Sequence, residues 1–141
     1  MNGEPVARWL SSIDIEGMYD APGLLSPWYF MLRLFEEITR STRYNRAVTL
    51  MMATIGAESQ PSLEDWFTNS LRASDLLCKD ATGSYFLLLP ETAEANASEL
   101  VRRIIAVFTN VSISKATLPS EPEVFADLAD QITVHSVRKA A

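Results

Sequence analysis

One cysteine and one histidine, Cys78 and His135, are all that this 141-residue chain holds of those two residue types. A lone cysteine excludes an intramolecular disulfide and suits a reducing cytoplasm. A Cys/His zinc centre, which draws on four such ligands, is not supported either. Basic residues are outnumbered, 12 against 18 acidic ones, leaving a net charge of −6 and a pI near 4.7. Nucleic-acid binders normally show a basic face, so nucleic acid is not an expected partner. No apolar run approaches the roughly 20 residues that span a bilayer. The opening MNGEPVARWLSSIDIEG lacks the charged start and apolar core of a signal peptide. Repeats and low-complexity linkers are missing as well. The expectation is a cytoplasmic protein without a membrane partner.

What is present is 48% hydrophobic residues at a mean hydropathy of +0.04, in a length that suits one domain. Residues 1–19 form a leader with a weak apolar pattern at Val6, Trp9, Leu10 and Ile13, consistent with a short helix or docked tail. Ser26 and Pro27 make a good helix start. Phe30, Met31, Leu34, Phe35 and Ile38 then recur at helical spacing from 28 to about 43, with Arg33, Glu36, Glu37 and Arg40 mostly off that stripe. The nearly continuous apolar run 47–55 reads as a strand buried on both faces. Pro61 and Ser62, with Asp65 at the capping-box position, open a helix to about 73. Two strands, 76–79 and 85–89, flank a short polar hairpin. Thr92 can cap a helix over 93 to about 108. Residues 110–116 alternate as a strand, Ser120 with Glu123 opens a helix from 121 to about 131, and 132–137 reads as an edge strand.

The central stretch, LLCKDATGSYFLLLPET, carries the most specific signal. With LRASD at 71–75 it resembles the hairpin of a GGDEF domain, the fold of the cyclases that make cyclic di-GMP. Asp20, Gly23, Leu24, Arg43, Tyr44 and the run Ser112–Ala116 resemble other parts of that family in the same order. Ala126, Asp127 and Ala129 resemble its closing segment. The resemblance runs from about 20 to 134, so the domain is taken as 20–141. It implies an α+β, palm-like fold in which a central, mostly antiparallel sheet is flanked by helices.

The family's chemistry needs two metal-binding carboxylates, because divalent cations prefer hard oxygen ligands and neutralise the triphosphate during attack. The first-strand position falls at about Ala53. The signature positions fall on Ala81, Thr82, Gly83, Ser84 and Tyr85, so Gly83 and Ser84 stand where carboxylates are expected. Ala81 and Thr82 replace the paired glycines that let backbone approach phosphate. Val134 stands where a phosphate-holding lysine is usual, and the piece that supplies guanine contacts is short by roughly a dozen residues, a change that loops tolerate cheaply. Asp80, Glu58 and Glu64 are the nearby acids, and Asp80 suits a surface or turn-stabilising role better than a two-metal site. The expectation is a degenerate, catalytically inactive domain with no metal and no cofactor.

The family's product-binding site is built on R-x-x-D, and Arg72-Ala73-Ser74-Asp75 sits in that register ahead of Ala81. Arg103, with Arg102 beside it, matches the place of a second arginine. An arginine fork can donate to guanine O6 and N7 or to phosphate, and a carboxylate accepts from the guanine N1–H and N2–H₂ edge. With Lys79, these arginines offer a cationic patch to a dianion. The plainer reading is an i,i+3 ion pair worth tenths of a kcal/mol, with solvated arginines beside it. His135 and Cys78 read as structural, Trp28 and Trp66 as packed, and Trp9 as a protein contact. The leading expectation is a bacterial cyclic di-GMP receptor, with a partner signalling protein and homodimerisation; its rival is an interaction module that binds no nucleotide.

Overall fold

The computed structural model describes residues 15–132. After a 3₁₀ turn, Ile15–Met18, come β1 (Tyr19–Ala21), β2 (Leu24–Leu25), α1 (Pro27–Tyr44) and β3 (Val48–Thr54). A second 3₁₀ turn, Ala57–Ser59, leads into α2 (Gln60–Ser70). Then follow β4 (Leu76–Lys79), β5 (Tyr85–Pro90), α3 (Glu94–Val107), β6 (Ser112–Leu118) and α4 (Pro122–Ala129). The strands form one sheet in the order β1-β2-β4-β5-β3-β6, antiparallel except where β2 meets β4 at Leu25 and Cys78. This is the α+β sheet with flanking helices that the sequence led us to expect.

The period-two geometry of a strand sends alternate side chains to opposite faces. Leu50, Phe86, Leu88, Cys78 and Ala116 meet Phe30 and Leu34 of α1 and Phe125 and Leu128 of α4 on one face. Met51, Ala53, Leu77, Tyr85, Leu87 and Leu89 meet Leu63 and Phe67 of α2 and Leu100 and Ile104 of α3 on the other. β3 and β5 are therefore covered on both sides, which is why they read as continuous apolar runs. β1 and β2, of three and two residues, are too short to show any period.

Helix boundaries match the sequence reading to within a few residues, but their caps do not. None of the four helices among the described residues has a side-chain cap hydrogen bond. Ser26 instead bonds Met18: its backbone N–H and its hydroxyl both reach that carbonyl, at 2.8 and 3.2 Å. The Ser120 hydroxyl donates to the Thr117 carbonyl, and Glu121 accepts from the Thr117 N–H. Asp65 contributes its backbone carbonyl, to Thr68 and Asn69, and forms no box with Ser62. α2 also stops at Ser70, short of 73, so Arg72 and Asp75 lie beyond its end.

The stripe on α1 is rotated from the one expected. Its core face is Phe30, Leu34, Glu37 and Ser41, whereas Phe35 is 63% exposed and Leu32 48%. Glu37, expected off the stripe, is buried beside Arg40. Trp28 is partly exposed but donates to the Gly17 carbonyl at 2.8 Å. Trp66 packs edge-on against Phe67 and Phe108. Residues 1–14 and 133–141, with Trp9, Val134, His135 and the strand expected over 132–137, lie outside the described residues, apart from Ile132. Among the described residues, no helix is long and apolar enough to cross a membrane.

Leu50 is fully buried at the centre of β3. Leu50→Ala is expected to lower unfolding free energy by about 2–5 kcal/mol, and Leu32→Ala by no more than about 0.5 kcal/mol. Urea denaturation measures both, and equal losses would contradict this placement of the core.

Candidate functional site

Between α2 and β4 the chain turns back on itself. The Asp75 N–H donates to the Arg72 carbonyl at 3.0 Å, and the Arg72 N–H donates to Asp75 Oδ2 at 2.9 Å. The side chains close the same ring. Arg72 Nε donates to Oδ2 at 3.2 Å and Nη2 to Oδ1 at 2.9 Å. Nη2 also reaches the Pro90 carbonyl at 2.9 Å and Thr92 Oγ1 at 2.7 Å, at the end of β5. The Asp75 side chain is only 5% exposed, while that of Arg72 is 55% exposed. The bond to Asp75 is the main cause of an Arg72 pKa above its ordinary value, so the cation is permanent.

An arginine carries five N–H donors. Here Nε and Nη2 are engaged, and Nη1 has no partner among the described residues. The Asp75 carboxylate receives three donors and lies behind the arginine. It therefore aims Arg72, and Nη1 is the group left to donate outward.

Arg72 and Asp75 line a cavity of about 200 Å³ together with Arg103 of α3. Leu71, Leu89 and Leu100 supply its apolar wall, and Ser70, Thr92 and Asn96 its other polar groups. The guanidinium of Arg103 sits 5.5 Å over the Trp66 ring, a cation–π contact that holds it at the cavity. The structure thus brings together three of the expected site residues. Arg102 is not among the lining residues and pairs with Glu99 on its own helix. Lys79 lies over the Tyr85 ring at 5.7 Å, away from the cavity. Helical geometry accounts for the difference between the two arginines: adjacent residues point about 100° apart, whereas Asn96, Leu100 and Arg103 at i, i+4 and i+7 share one face. That spacing is the signal that singles out Asn96, which the motif comparison passed over.

The β4–β5 hairpin has a different character. Asp80 is buried, not a surface residue, and its Oδ1 accepts from the Thr82 N–H at 3.0 Å, the Thr82 hydroxyl at 2.7 Å and the Ser84 N–H at 3.1 Å. The turn-stabilising role expected for it is therefore the one seen. Gly83, at φ +91°, takes the left-handed conformation that the turn requires. Ala53 lies opposite Tyr85 on β3, fully buried and without an oxygen donor. The Tyr85 hydroxyl donates to Glu64 Oε1 at 2.8 Å, which engages that acid too. Among the described residues no three of His, Cys, Asp and Glu gather closely enough to hold a metal. These residues do not fit the divalent-cation site that the family resemblance implies.

No protein-family model matches the sequence, and no curated protein matches it. Solved structures do. The coiled coil and GGDEF domain of DgcB from Caulobacter crescentus, in complex with c-di-GMP, has a TM-score of 0.69 at 10% identity, over 90% of this chain and 84% of that one. The GGDEF domain of TpbB (YfiN) from Pseudomonas aeruginosa has a TM-score of 0.67 at 17% identity, covering 79% of this chain and 84% of its own. The diguanylate cyclase SiaD from Pseudomonas aeruginosa, in complex with its activator SiaC, has a TM-score of 0.63 at 19% identity, over 96% and 64% of the two chains. At such identities the likeness is one of fold, and this chain has the fold of GGDEF domains.

Burial raises the pKa of Cys78 and of Tyr85 far above their ordinary values of 9.0 and 10.0, and Glu64 adds to the effect on Tyr85. Both stay protonated in the folded chain while the unfolded chain releases its protons, so stability falls as pH rises through about 9 to 10. The denaturation midpoint is expected to drop between pH 8 and pH 10.5, and less steeply in Tyr85→Phe. A variant with the same alkaline slope as the wild type would count against this account of Tyr85.

Proposed function

We propose that this chain is a catalytically inactive GGDEF-fold domain that binds cyclic di-GMP as a bacterial cytoplasmic receptor. The observation that carries this reading is the convergence of Arg72, Asp75 and Arg103 on one cavity. In a chain of net charge −6, a dianionic ligand needs local cations. Arg72 offers Nη1 as an unengaged donor pair, and Arg103 offers a guanidinium already oriented by Trp66. Asp75 orients Arg72 and does not itself meet the base. A cavity of about 200 Å³ is below the ~300–1,000 Å³ of sites that enclose a drug-sized ligand. It takes one guanine and leaves the rest of the dinucleotide outside, where a second copy of the chain would cover it.

The inactive part of the reading rests on Ala53, Gly83 and Ser84 at the carboxylate positions and on Asp80 being tied into its own turn. DgcB in its complex with c-di-GMP gives a precedent for the ligand class on this fold. The second reading, a partner-binding module independent of nucleotide, is favoured by Trp28, Leu32 and Phe35. These form an exposed apolar line at i, i+4 and i+7 on α1. The SiaD complex with its activator SiaC is a protein-partner precedent.

Calorimetric titration with cyclic di-GMP, with GTP in parallel, tests the two against each other. Micromolar or tighter binding of the dinucleotide alone is expected. A hydrogen bond to a charged group contributes about 1.5–3 kcal/mol, so Arg72→Ala should weaken binding about 10- to 150-fold. Arg102→Ala should leave it unchanged. Undiminished affinity in Arg72→Ala would remove the assignment of the site, and no heat with either ligand would favour the partner-binding reading. Formation of cyclic di-GMP from GTP with Mg²⁺ or Mn²⁺ would overturn the inactive assignment.

A further inference from the structure

Thr49 is a polar residue in the middle of a buried strand. It is fully buried on β3, opposite Leu89 of β5 on one side and Thr117 of β6 on the other. Its Oγ1 lies 2.8 Å from the Thr92 carbonyl oxygen and 2.8 Å from Thr117 Oγ1. A hydroxyl has a single hydrogen. The Thr92 carbonyl can only accept, so the Thr49 hydrogen goes there, and Thr117 must supply the hydrogen between the two hydroxyls. The chain of donors therefore runs one way, Thr117 to Thr49 to the Thr92 carbonyl, each bond strengthening the next.

Thr92 is held from the cavity side as well. Its Oγ1 accepts from Arg72 Nη2 and donates to the Pro90 carbonyl at 3.1 Å. The residue between, Glu91, has φ +55°, a conformation uncommon outside glycine. A turn of that kind keeps its shape only where surrounding contacts define it.

We infer that Thr49 is a positioning residue for Arg72: by fixing the Thr92 carbonyl it sets the turn on which the guanidinium rests, and so the direction of Nη1. The inference rests on the reading of Arg72 as the ligand-binding cation. Thr49 itself touches no ligand. Thr117 stands one bond further back and matters less, because Thr49 keeps its bond to Thr92 without it.

The test uses the full chain and two readouts, the NMR cross-peak of Arg72 Nε–H in the free protein and the affinity for cyclic di-GMP. Thr49→Val keeps shape and strand preference while removing the hydroxyl. It is expected to shift or broaden the Arg72 peak and to weaken binding about tenfold, the effect of roughly one net hydrogen bond. Thr49→Ser should restore both. Thr117→Val, an equally buried loss, should lower the melting temperature yet leave the Arg72 peak in place. Thr49→Cys, a weaker donor, replaces the valine variant if that fails to fold. An unmoved Arg72 peak in Thr49→Val overturns the inference, as do equal shifts in the Thr49 and Thr117 variants. If the wild type binds no cyclic di-GMP while the peak still moves in Thr49→Val, the positioning role stands and the receptor reading falls.

Discussion

A buried carboxylate has to be paired, because removing its partner leaves an uncompensated charge in a medium that solvates it poorly. Asp75 is such a group, and Arg72 is the cation that meets it. Meeting it fixes where the guanidinium lies, directly beside the end of β5, where it reaches the Pro90 carbonyl and Thr92. The same contact ties two segments together: the link after α2 and the turn that joins β5 to α3. Arg46, in the link between α1 and β3, adds an ion pair to Glu91 of that turn, but both partners are about half exposed, so its contribution is small. Leu71, Leu89 and Leu100 line the cavity beside these joined segments.

The two ends of the β4–β5 pair carry opposite designs. At the hairpin end, backbone donors and the Thr82 hydroxyl turn inward onto Asp80, so the loop satisfies itself. At the other end, where Asp75 precedes β4 and Pro90 closes β5, an arginine keeps donors that nothing in the described chain uses. Hydrogen-bonding capacity that is left over is what a ligand can take up. On this fold the capacity lies at the Arg72 end.

Much of this was legible in the residues. Strands β3 and β5 announce themselves as long apolar runs, and the register of Arg72 and Asp75 with the hairpin pointed to two residues that line one cavity with Arg103. The motif match does not separate Arg103 from Arg102; the structure does, because Arg103 shares the cavity-lining face of α3 with Asn96 and Leu100. The caps were not legible. Ser26, Thr92 and Ser120 each look like a helix-capping residue, and each gives its side chain to another partner: the Met18 carbonyl, the Arg72–Pro90 pair and the Thr117 carbonyl. A short polar side chain takes whichever partner the fold brings nearest, and sequence distance does not reveal partners in other segments.

Periodicity and residue type, then, determined the four helices α1 to α4 and the strands β3 to β6, their order and the charge available to the site, since alternation and helical spacing are local properties of the chain; β1 and β2 are too short to carry either. Which way α1 faces was a tertiary decision. α1 meets the sheet through Phe30, Leu34, Glu37 and Ser41, and Phe35 is left outside because the sheet and α4 cover only part of its apolar stripe. The path from Thr117 through Thr49 to Thr92 and Arg72 was tertiary too. It joins residues on β6 and β3, in the turn after β5 and after α2, and only the strand pairing brings those hydroxyls within 2.8 Å of one another and of the Thr92 carbonyl.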